Sequence, residues 1–222
     1  MSTDLNDVSR YERLDYVKEL NSGKEFYGSL KGVPEITRAG IRVSALSLYS
    51  DDCWDFSAEF PWLRRSSLVI EFGMISFDDG SDITQKGFEC YLSSVKEYFY
   101  SLLVDPPSSY PKISTVCFSI KKGLRAIVRF MHIFGVERFS DLTEFELSEF
   151  QVWVCSGGRQ GDGELTNRTL RSRVYGLSWL YEQSSKLSDG LVFWPFGSSQ
   201  SVSQWTAEFS EKNLSREGLN NR

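Results

Sequence analysis

The sequence predicts a mainly α-helical protein in which a small region with short β-strands precedes the helices. Apolar residues recur at three- and four-residue spacing in four segments, which are 82–105, 113–135, 143–155 and 166–186. Apolar and polar residues instead alternate, with one interruption at a glycine, in the segment 68–77. Helical periodicity therefore covers most of the chain beyond its N-terminal third, and strand periodicity is confined to that third.

The composition is that of a soluble globular protein. The chain of 222 residues is long enough to bury one large core or two small ones, and 41% hydrophobic with 25% charged residues argues against disorder. The formal net charge of −5 argues by itself against a partner that carries many phosphates. The excess acid lies in residues 1–80, which hold 9 basic and 14 acidic side chains. A basic surface later in the chain is therefore compatible with the acidic total.

Cysteine and histidine usage argues against the common metal sites. The four cysteines form no Cys-x-x-Cys pair and the chain has one histidine, so we expect no metal and no cofactor. Widely spaced cysteines fit a reducing, cytoplasmic compartment. The polar, acidic N-terminus is unlike a signal peptide, and no apolar run approaches the length of a membrane span. Neither a membrane nor a small-molecule substrate is expected as a partner.

We expect the helix 113–135 to be the element around which the others pack. One of its faces is apolar, and Gly135 suits the left-handed residue that ends a helix. The opposite face is cationic, and two interpretations of it are open: a solvated surface, or a surface that meets phosphate groups. Its basic residues are Lys121, Lys122, Arg125 and Arg129.

Turn and capping signals delimit the other helices. The helix 82–105 ends where a Pro- and Ser-rich linker, 106–111, follows it. Thr143 and Glu146 form a capping-box pattern at the start of the third helix. The glycine-rich run 156–163 lacks the lysine and the preceding strand of a phosphate-binding loop, so we interpret it as a flexible surface loop.

The N-terminal third gives weaker signals. Residues 10–20 predict a short helix in a mostly irregular segment, and 43–49 fits either a strand or a helical turn. The alternation in 68–77 predicts a strand, or two strand pieces with a bulge, before a turn at 78–80. An aromatic cluster is expected to cover an edge of the core. Its members are Trp54, Phe56, Phe60 and Trp62.

The fourth helix, 166–186, begins with three arginines. Arg168, Arg171 and Arg173 crowd its first turns, where the helix dipole favours acidic residues instead. A negatively charged partner would account for this placement, and so would tolerance of a solvated helix end.

The order of these elements resembles the core-binding, SAM-like N-terminal domain of tyrosine recombinases, the phage-integrase family. The resemblance covers residues 80–197 and depends on the succession of helices and loops, without an invariant signature. Three phrases carry it: Gly135-Val136-Glu137-Arg138-Phe139-Ser140-Asp141-Leu142-Thr143, Leu165-Thr166-Asn167-Arg168-Thr169-Leu170-Arg171-Ser172-Arg173-Val174, and Leu191-Val192-Phe193-Trp194-Pro195-Phe196.

The resemblance implies three parts in the chain. Residues 1–79 would be an accessory region with short strands, 80–197 a four-helix core-binding domain, and 198–222 a polar linker or tail toward a missing catalytic domain. Catalysis in the family uses a His-x-x-Arg motif and a tyrosine nucleophile. Here the single histidine, His132, is followed by Ile-Phe-Gly, and none of the ten tyrosines has the nucleophile's setting. The chain would therefore bind DNA without cleaving it, as the front portion of a parent recombinase.

By position, the resemblance places the helix 113–135 and the start of the helix 166–186 at duplex DNA. It implies phosphate contacts by basic residues and backbone or base-edge contacts by Asn167 and Thr169. The implied DNA-binding residues are Lys121, Lys122, Arg125, Arg129, Asn167, Arg168, Thr169, Arg171 and Arg173. Other protomers would be further partners, in a synaptic complex during site-specific DNA integration or recombination of a mobile element.

A competing interpretation is a helical protein-interaction or regulatory module with no role in nucleic-acid binding. The acidic composition favours that alternative.

Overall fold

Helices form most of the regular structure, as the apolar periodicities predict. The computed structural model describes residues 10–23, 27–106, 113–117, 121–155, 167–199 and 201–207. Two short strands, β1 (Cys53–Asp55) and β2 (Val69–Glu71), form an antiparallel pair. The helices are α1 (Arg10–Leu20), α2 (Glu35–Ala39), α3 (Glu89–Val104), α4 (Ile113–Thr115), α5 (Lys121–Phe134), α6 (Glu144–Cys155), α7 (Asn167–Gln183) and α8 (202–207).

Helix α3 is the most deeply buried helix in the described part of the chain. Every side chain from Val95 to Val104 is buried, even those of Lys96 and Glu97. A helix that is buried all round must be covered by other elements on every side, and α3 contacts both α1 and α7. The expectation that the helix 113–135 organises the chain was therefore incomplete, because segments of the N-terminal third also enclose α3.

The expected helix 113–135 is present as α4 and α5, and residues 118–120 between them lie outside the described residues. Its predicted end is confirmed: Gly135 has a φ of 68°, and the Val136 N–H donates to the Met131 carbonyl at 2.8 Å. The apolar face is buried, as expected. Its described core residues in α5 are Leu124, Ile127, Val128 and Met131.

The other helix ends agree with the turn and capping signals, but the start predicted at residue 82 is wrong. Helix α3 begins at Glu89, because Asp82 instead accepts hydrogen bonds from Thr84 in a turn. Helix α3 ends directly before Asp105, as predicted. The capping box at α6 is confirmed, since the Thr143 N–H and hydroxyl both donate to the Glu146 carboxylate. Helix α7 continues into a short 3-10 turn, Ser184–Lys186. The glycine-rich run 156–163 lies outside the described residues.

The strand predicted over 68–77 is shorter than expected. Pairing stops at Glu71, and the chain enters a 3-10 turn, Phe72–Met74, in which the Ile75 N–H donates to the Phe72 carbonyl at 2.9 Å. Through this turn, the side chains of Phe72 and Ile75 both lie in the core without a continuous strand. Local alternation therefore identified the buried residues correctly and overstated the length of the strand.

The boundary expected between residues 79 and 80 does not coincide with a break in the core. One hydrophobic cluster includes Tyr49 and Trp54 of the N-terminal third together with residues of α3, α5, α6 and α7. A buried ion pair also crosses the boundary, with Arg38 Nη1 lying 3.4 Å from Glu97 Oε2. The N-terminal third therefore supplies part of this cluster, and the division into an accessory region and a helical domain stays a prediction.

The segment expected to be a polar linker from 198 onward also contributes to this core. Val202 and Trp205, on α8, are both about 5% exposed. The indole N–H of Trp205 donates to Gln151 Oε1 of α6 at 3.0 Å. The packed part of the chain therefore extends at least to residue 207, and residues 208–222 lie outside the described residues.

Candidate nucleic-acid interface

Helices α5 and α7 touch through their backbones at a pair of glycines. A Cβ atom placed on Gly123 would lie 3.1 Å from the Arg173 carbonyl oxygen and 3.3 Å from the Gly176 nitrogen. Such distances are tighter than ordinary van der Waals contact, so the crossing requires glycine at position 123. The sequence carries both glycines inside helices, where they cost helix propensity, and the crossing explains the first of them.

This crossing brings together the basic residues at the starts of the two helices. Lys121 and Lys122 directly precede Gly123 in α5, and Arg171 and Arg173 lie within about one and a half turns of Gly176 in α7. The side chain of Arg171 is exposed, and that of Arg173 is half-buried. The crossing therefore places the backbone positions of these four basic residues in one region.

Five of the predicted site residues have side chains that lie outside the described residues. Their helical backbone is described, which fixes their position at the starts of α5 and α7. They are Lys121, Lys122, Asn167, Arg168 and Thr169. Their predicted roles stay predictions.

Arg129 occupies a different environment from the residues at the crossing. Its Nε donates to the Ser76 carbonyl oxygen at 2.6 Å, and its Nη2 lies 3.9 Å from Asp78 Oδ1. The side chain is only 12% exposed. Arg125, one turn earlier, donates from Nη2 to the Ser76 hydroxyl oxygen at 3.4 Å. Both guanidinium groups thus bind the segment 76–78, so these two basic residues of α5 contact another part of the chain.

His132 belongs to an aromatic cluster on the same side of α5. Its ring lies 4.0 Å from the ring of Phe77 and 5.5 Å from that of Phe88, measured between centroids. The aromatic contacts hold Phe77 and Phe88 against the C-terminal half of α5. The histidine is half-buried in this packing.

Sequence reasoning missed the contact between α5 and the segment 76–78. The helical spacing of Arg125 and Arg129 correctly put them on one face, but Ser76 and Asp78 lie about fifty positions earlier in the chain. No local signal connects residues so far apart. The only hint was the acidic pair of Asp78 and Asp79, which we interpreted as turn residues.

Several potential nucleophiles are protected by burial. Burial raises the pKa of the Cys155 thiol to about 12 and that of the Tyr91 hydroxyl to about 12. The pKa values of Cys53 and Cys90 are raised as well, chiefly by burial. A raised pKa keeps a thiol or phenol protonated and poorly nucleophilic at neutral pH. The Cys53, Cys90 and Cys155 thiols and the Tyr91 phenol are therefore protonated at neutral pH.

Metal ligation and membrane insertion find no support in the described part of the chain. Within the ranges described above, no group of three or more His, Cys, Asp or Glu side chains is arranged to hold a metal ion. No helix among these residues is both long enough and apolar enough to cross a membrane.

The described residues form a mainly α-helical fold with one small two-stranded sheet. Among known proteins, no family model, curated protein or solved structure matches the chain.

Proposed function

We propose that the chain is the DNA-binding N-terminal portion of a site-specific tyrosine recombinase or integrase, and that it holds duplex DNA during integration or recombination. The observation that carries this proposal is the backbone contact between α5 and α7 at Gly123, which brings their basic starts together. The succession of α3, α5, α6 and α7 supports it, because it follows the order of the four-helix, SAM-like core-binding domain that the sequence resembles.

In this proposal the phosphates of the duplex meet the crossing of α5 and α7. Cationic side chains that neutralise phosphates release condensed counterions, which drives binding without reading the sequence. Asn167 and Thr169 at the start of α7 add backbone or base-edge contacts. The residues proposed to neutralise phosphates are Lys121, Lys122, Arg168, Arg171 and Arg173.

Arg125 and Arg129 take a supporting role in the proposal. Their guanidinium groups are engaged by Ser76 and Asp78, so they hold the segment after β2 against α5 instead of reaching outward to phosphate. This assignment modifies the sequence-based expectation, in which all the basic residues of α5 contacted DNA. A net attraction for duplex DNA must then come from the smaller group of cations at the crossing.

Strand cleavage is assigned to a catalytic domain of the parent protein, because the chain has no His-x-x-Arg motif. Other protomers of the same protein would be its partners in a synaptic complex. A cytoplasmic location fits such a role, as do the four free cysteines.

The proposal is tested by measuring the binding of the full chain to fluorescein-labelled duplex DNA by anisotropy over a series of salt concentrations. The paired reversal Lys122→Glu with Arg171→Glu should abolish binding, because it removes two cations from the crossing and adds two anions. The matched control is Arg64→Glu with Lys86→Glu, which changes the net charge equally at two exposed residues outside α5 and α7. The control should reduce affinity only slightly.

Equal losses from the two pairs of reversals would show that attraction is non-specific and would contradict the proposed surface. For the unmodified chain, the slope of log K against log salt should correspond to about 0.9 per phosphate neutralised. Absence of binding at low salt would overturn the proposal.

A helical protein-interaction or regulatory module is the second candidate function. The outer face of α6 favours it, because Phe145 is 70% exposed and Val152, seven residues later, is 59% exposed. Apolar side chains on one exposed helix face are a feature of surfaces that meet other proteins. Failure to bind DNA would leave this candidate as the better one.

A further inference from the structure

A recess lies between the segment 77–79, the C-terminal half of α5 and the last turn of α6. It has a volume of about 330 Å³, which is the lower range of ligand pockets and enough for one long side chain. Phe77, Ile133 and Trp153 form its apolar walls, and Asp78 and Asp79 supply carboxylates. Arg129 and His132 also line the recess, in the contacts already described.

The charges in this recess favour a cation over an anion. Asp79 is exposed, and its carboxylate accepts hydrogen bonds from the Ser81 hydroxyl at 2.6 Å and the Ser81 N–H at 2.9 Å. These hydrogen bonds lower the pKa of Asp79, so the carboxylate is ionised at neutral pH. The guanidinium of Arg129 is already bound to Ser76 and paired with Asp78. An incoming anion would therefore meet two carboxylates and a cation that is already engaged.

The walls of the recess favour a cation on an apolar stem, and arginine fits best. Its planar guanidinium can pair with a carboxylate and stack on an indole ring, which an ammonium group does less well. The aliphatic part of the side chain would lie against Ile133 and Phe77. A neutral polar ligand would cover the carboxylates without compensating their charge.

An exposed apolar shelf next to the recess indicates that the arginine comes from a polypeptide. Ile133 is 52% exposed and Phe134 is 50% exposed, so the described residues leave about half of each side chain uncovered. The ring of Phe134 packs 4.3 Å from that of Phe130, which in turn packs 5.8 Å from that of Trp153. The shelf is thereby continuous with the wall of the recess. A free arginine would fill the recess and leave the shelf exposed to water.

We infer that this recess and shelf bind an arginine side chain of a partner polypeptide, with Asp79 as its ion-pair partner and an apolar neighbour of that arginine on Ile133 and Phe134. The inference is independent of DNA binding, because Ile133 lies eleven residues beyond Lys122. That separation corresponds to about 16 Å along the axis of α5.

The test is a titration of the ¹⁵N-labelled full chain, followed by NMR, with three capped probes. The first is the tetrapeptide Ala-Arg-Leu-Ala, the second replaces its arginine by citrulline, which is nearly isosteric and uncharged, and the third is acetyl-arginine amide. We expect the arginine tetrapeptide to shift the Trp153 indole and Asp79 amide signals in a saturable way. The citrulline peptide should bind about tenfold more weakly, since a charged hydrogen-bonding group is lost.

Three variants locate the site. Asp79→Asn should weaken binding of the arginine tetrapeptide by about fivefold, the upper range for an exposed ion pair. Phe134→Ser, at a half-exposed position of the shelf that does not line the recess, should weaken binding of the tetrapeptide but not of acetyl-arginine amide. Glu71→Gln, the matched control, removes one exposed carboxylate outside the recess and should leave the affinity unchanged.

Equal affinity for the arginine and citrulline peptides, no effect of Asp79→Asn, or no saturable shift would each overturn the inference. Acetyl-arginine amide binding as tightly as the tetrapeptide would refute the polypeptide partner.

Discussion

Arg129 and Arg171 illustrate how differently two arginines from one predicted surface can be used. Both lie on helices with apolar faces, and both were expected at the same duplex. Arg129 is 12% exposed and donates to the Ser76 carbonyl oxygen at 2.6 Å, whereas Arg171 is exposed near the crossing of α5 and α7. The first arginine joins the N-terminal third to the helices, and the second is available to a partner.

The difference shows that helical periodicity predicts which residues share a face of a helix. It does not predict whether that face contacts another segment of the chain or the solvent. A buried carbonyl oxygen needs a hydrogen-bond donor, and a guanidinium provides one that also carries charge. The segment 76–78, which contacts α5, lies about fifty positions earlier in the chain than Arg125 and Arg129. Charge counting along one helix therefore overestimates the cationic surface.

Replacing Arg129 should give the largest effect in this comparison. Arg129→Ala leaves the Ser76 carbonyl without its donor and removes a packed side chain, so the free energy of unfolding should fall by about 2–3 kcal/mol. Urea denaturation followed by far-UV circular dichroism measures it. Arg129→Lys should recover part of the loss, because a charge remains while the fork of donors is gone. If Arg129→Ala lowers the free energy of unfolding no more than Arg171→Ala does, the proposed difference between the two arginines is wrong.

A substitution at the crossing should have the next largest effect. Gly123→Ala places a methyl group 3.1 Å from the Arg173 carbonyl oxygen, and the helices must separate slightly. We expect a net destabilisation of about 1–2 kcal/mol, since overpacking against backbone exceeds the gain in helix propensity. The affinity for duplex DNA should fall as well, because the two helices no longer approach as closely. Gly40→Ala is the matched control, because a Cβ there meets nothing within 4 Å, and its thermal unfolding should be unchanged or slightly raised.

Arg125 should give an intermediate result. Its hydrogen bond to the Ser76 hydroxyl oxygen is long, at 3.4 Å, and the side chain is half-buried. Arg125→Ala should lower the free energy of unfolding by about 1 kcal/mol. The double variant with Ser76→Ala tests the contact: if the bond matters, the two losses should be less than additive in a double-mutant cycle. Full additivity would remove Arg125 from the supporting role.

Arg171 should give the smallest effect on stability and a clear effect on DNA binding. Arg171→Ala should change the free energy of unfolding by less than about 0.5 kcal/mol, as exposed charges contribute little to folding. The slope of log K for duplex DNA against log salt should nevertheless decrease by about 0.9. If the slope of log K against log salt is unchanged, Arg171 does not contact phosphates, and this result would favour the protein-interaction module.

Local signals predicted the helices well and the long-range packing poorly. The left-handed Gly135, the Thr143–Glu146 capping box and the end of α3 at Asp105 all depend on residues within one helical turn, and all are confirmed. The boundary predicted near residue 79 stays a prediction, and the hydrophobic cluster that joins residues from both sides of it could not be recognised from local signals. The buried pair of Arg38 and Glu97 could not be recognised from either segment alone.

The helical class, most helix ends and the residues that face the core follow from the sequence alone, because each depends on periodicity, capping and turn chemistry within a few positions. The structure was needed to show which cations make internal contacts, that residues 201–207 pack into the core, and that Gly123 lets α5 and α7 approach. Burial and pairing are properties of the assembled chain. The sequence pattern shows that a residue is charged or apolar, but its partner comes from a distant segment that contacts it only in the folded chain.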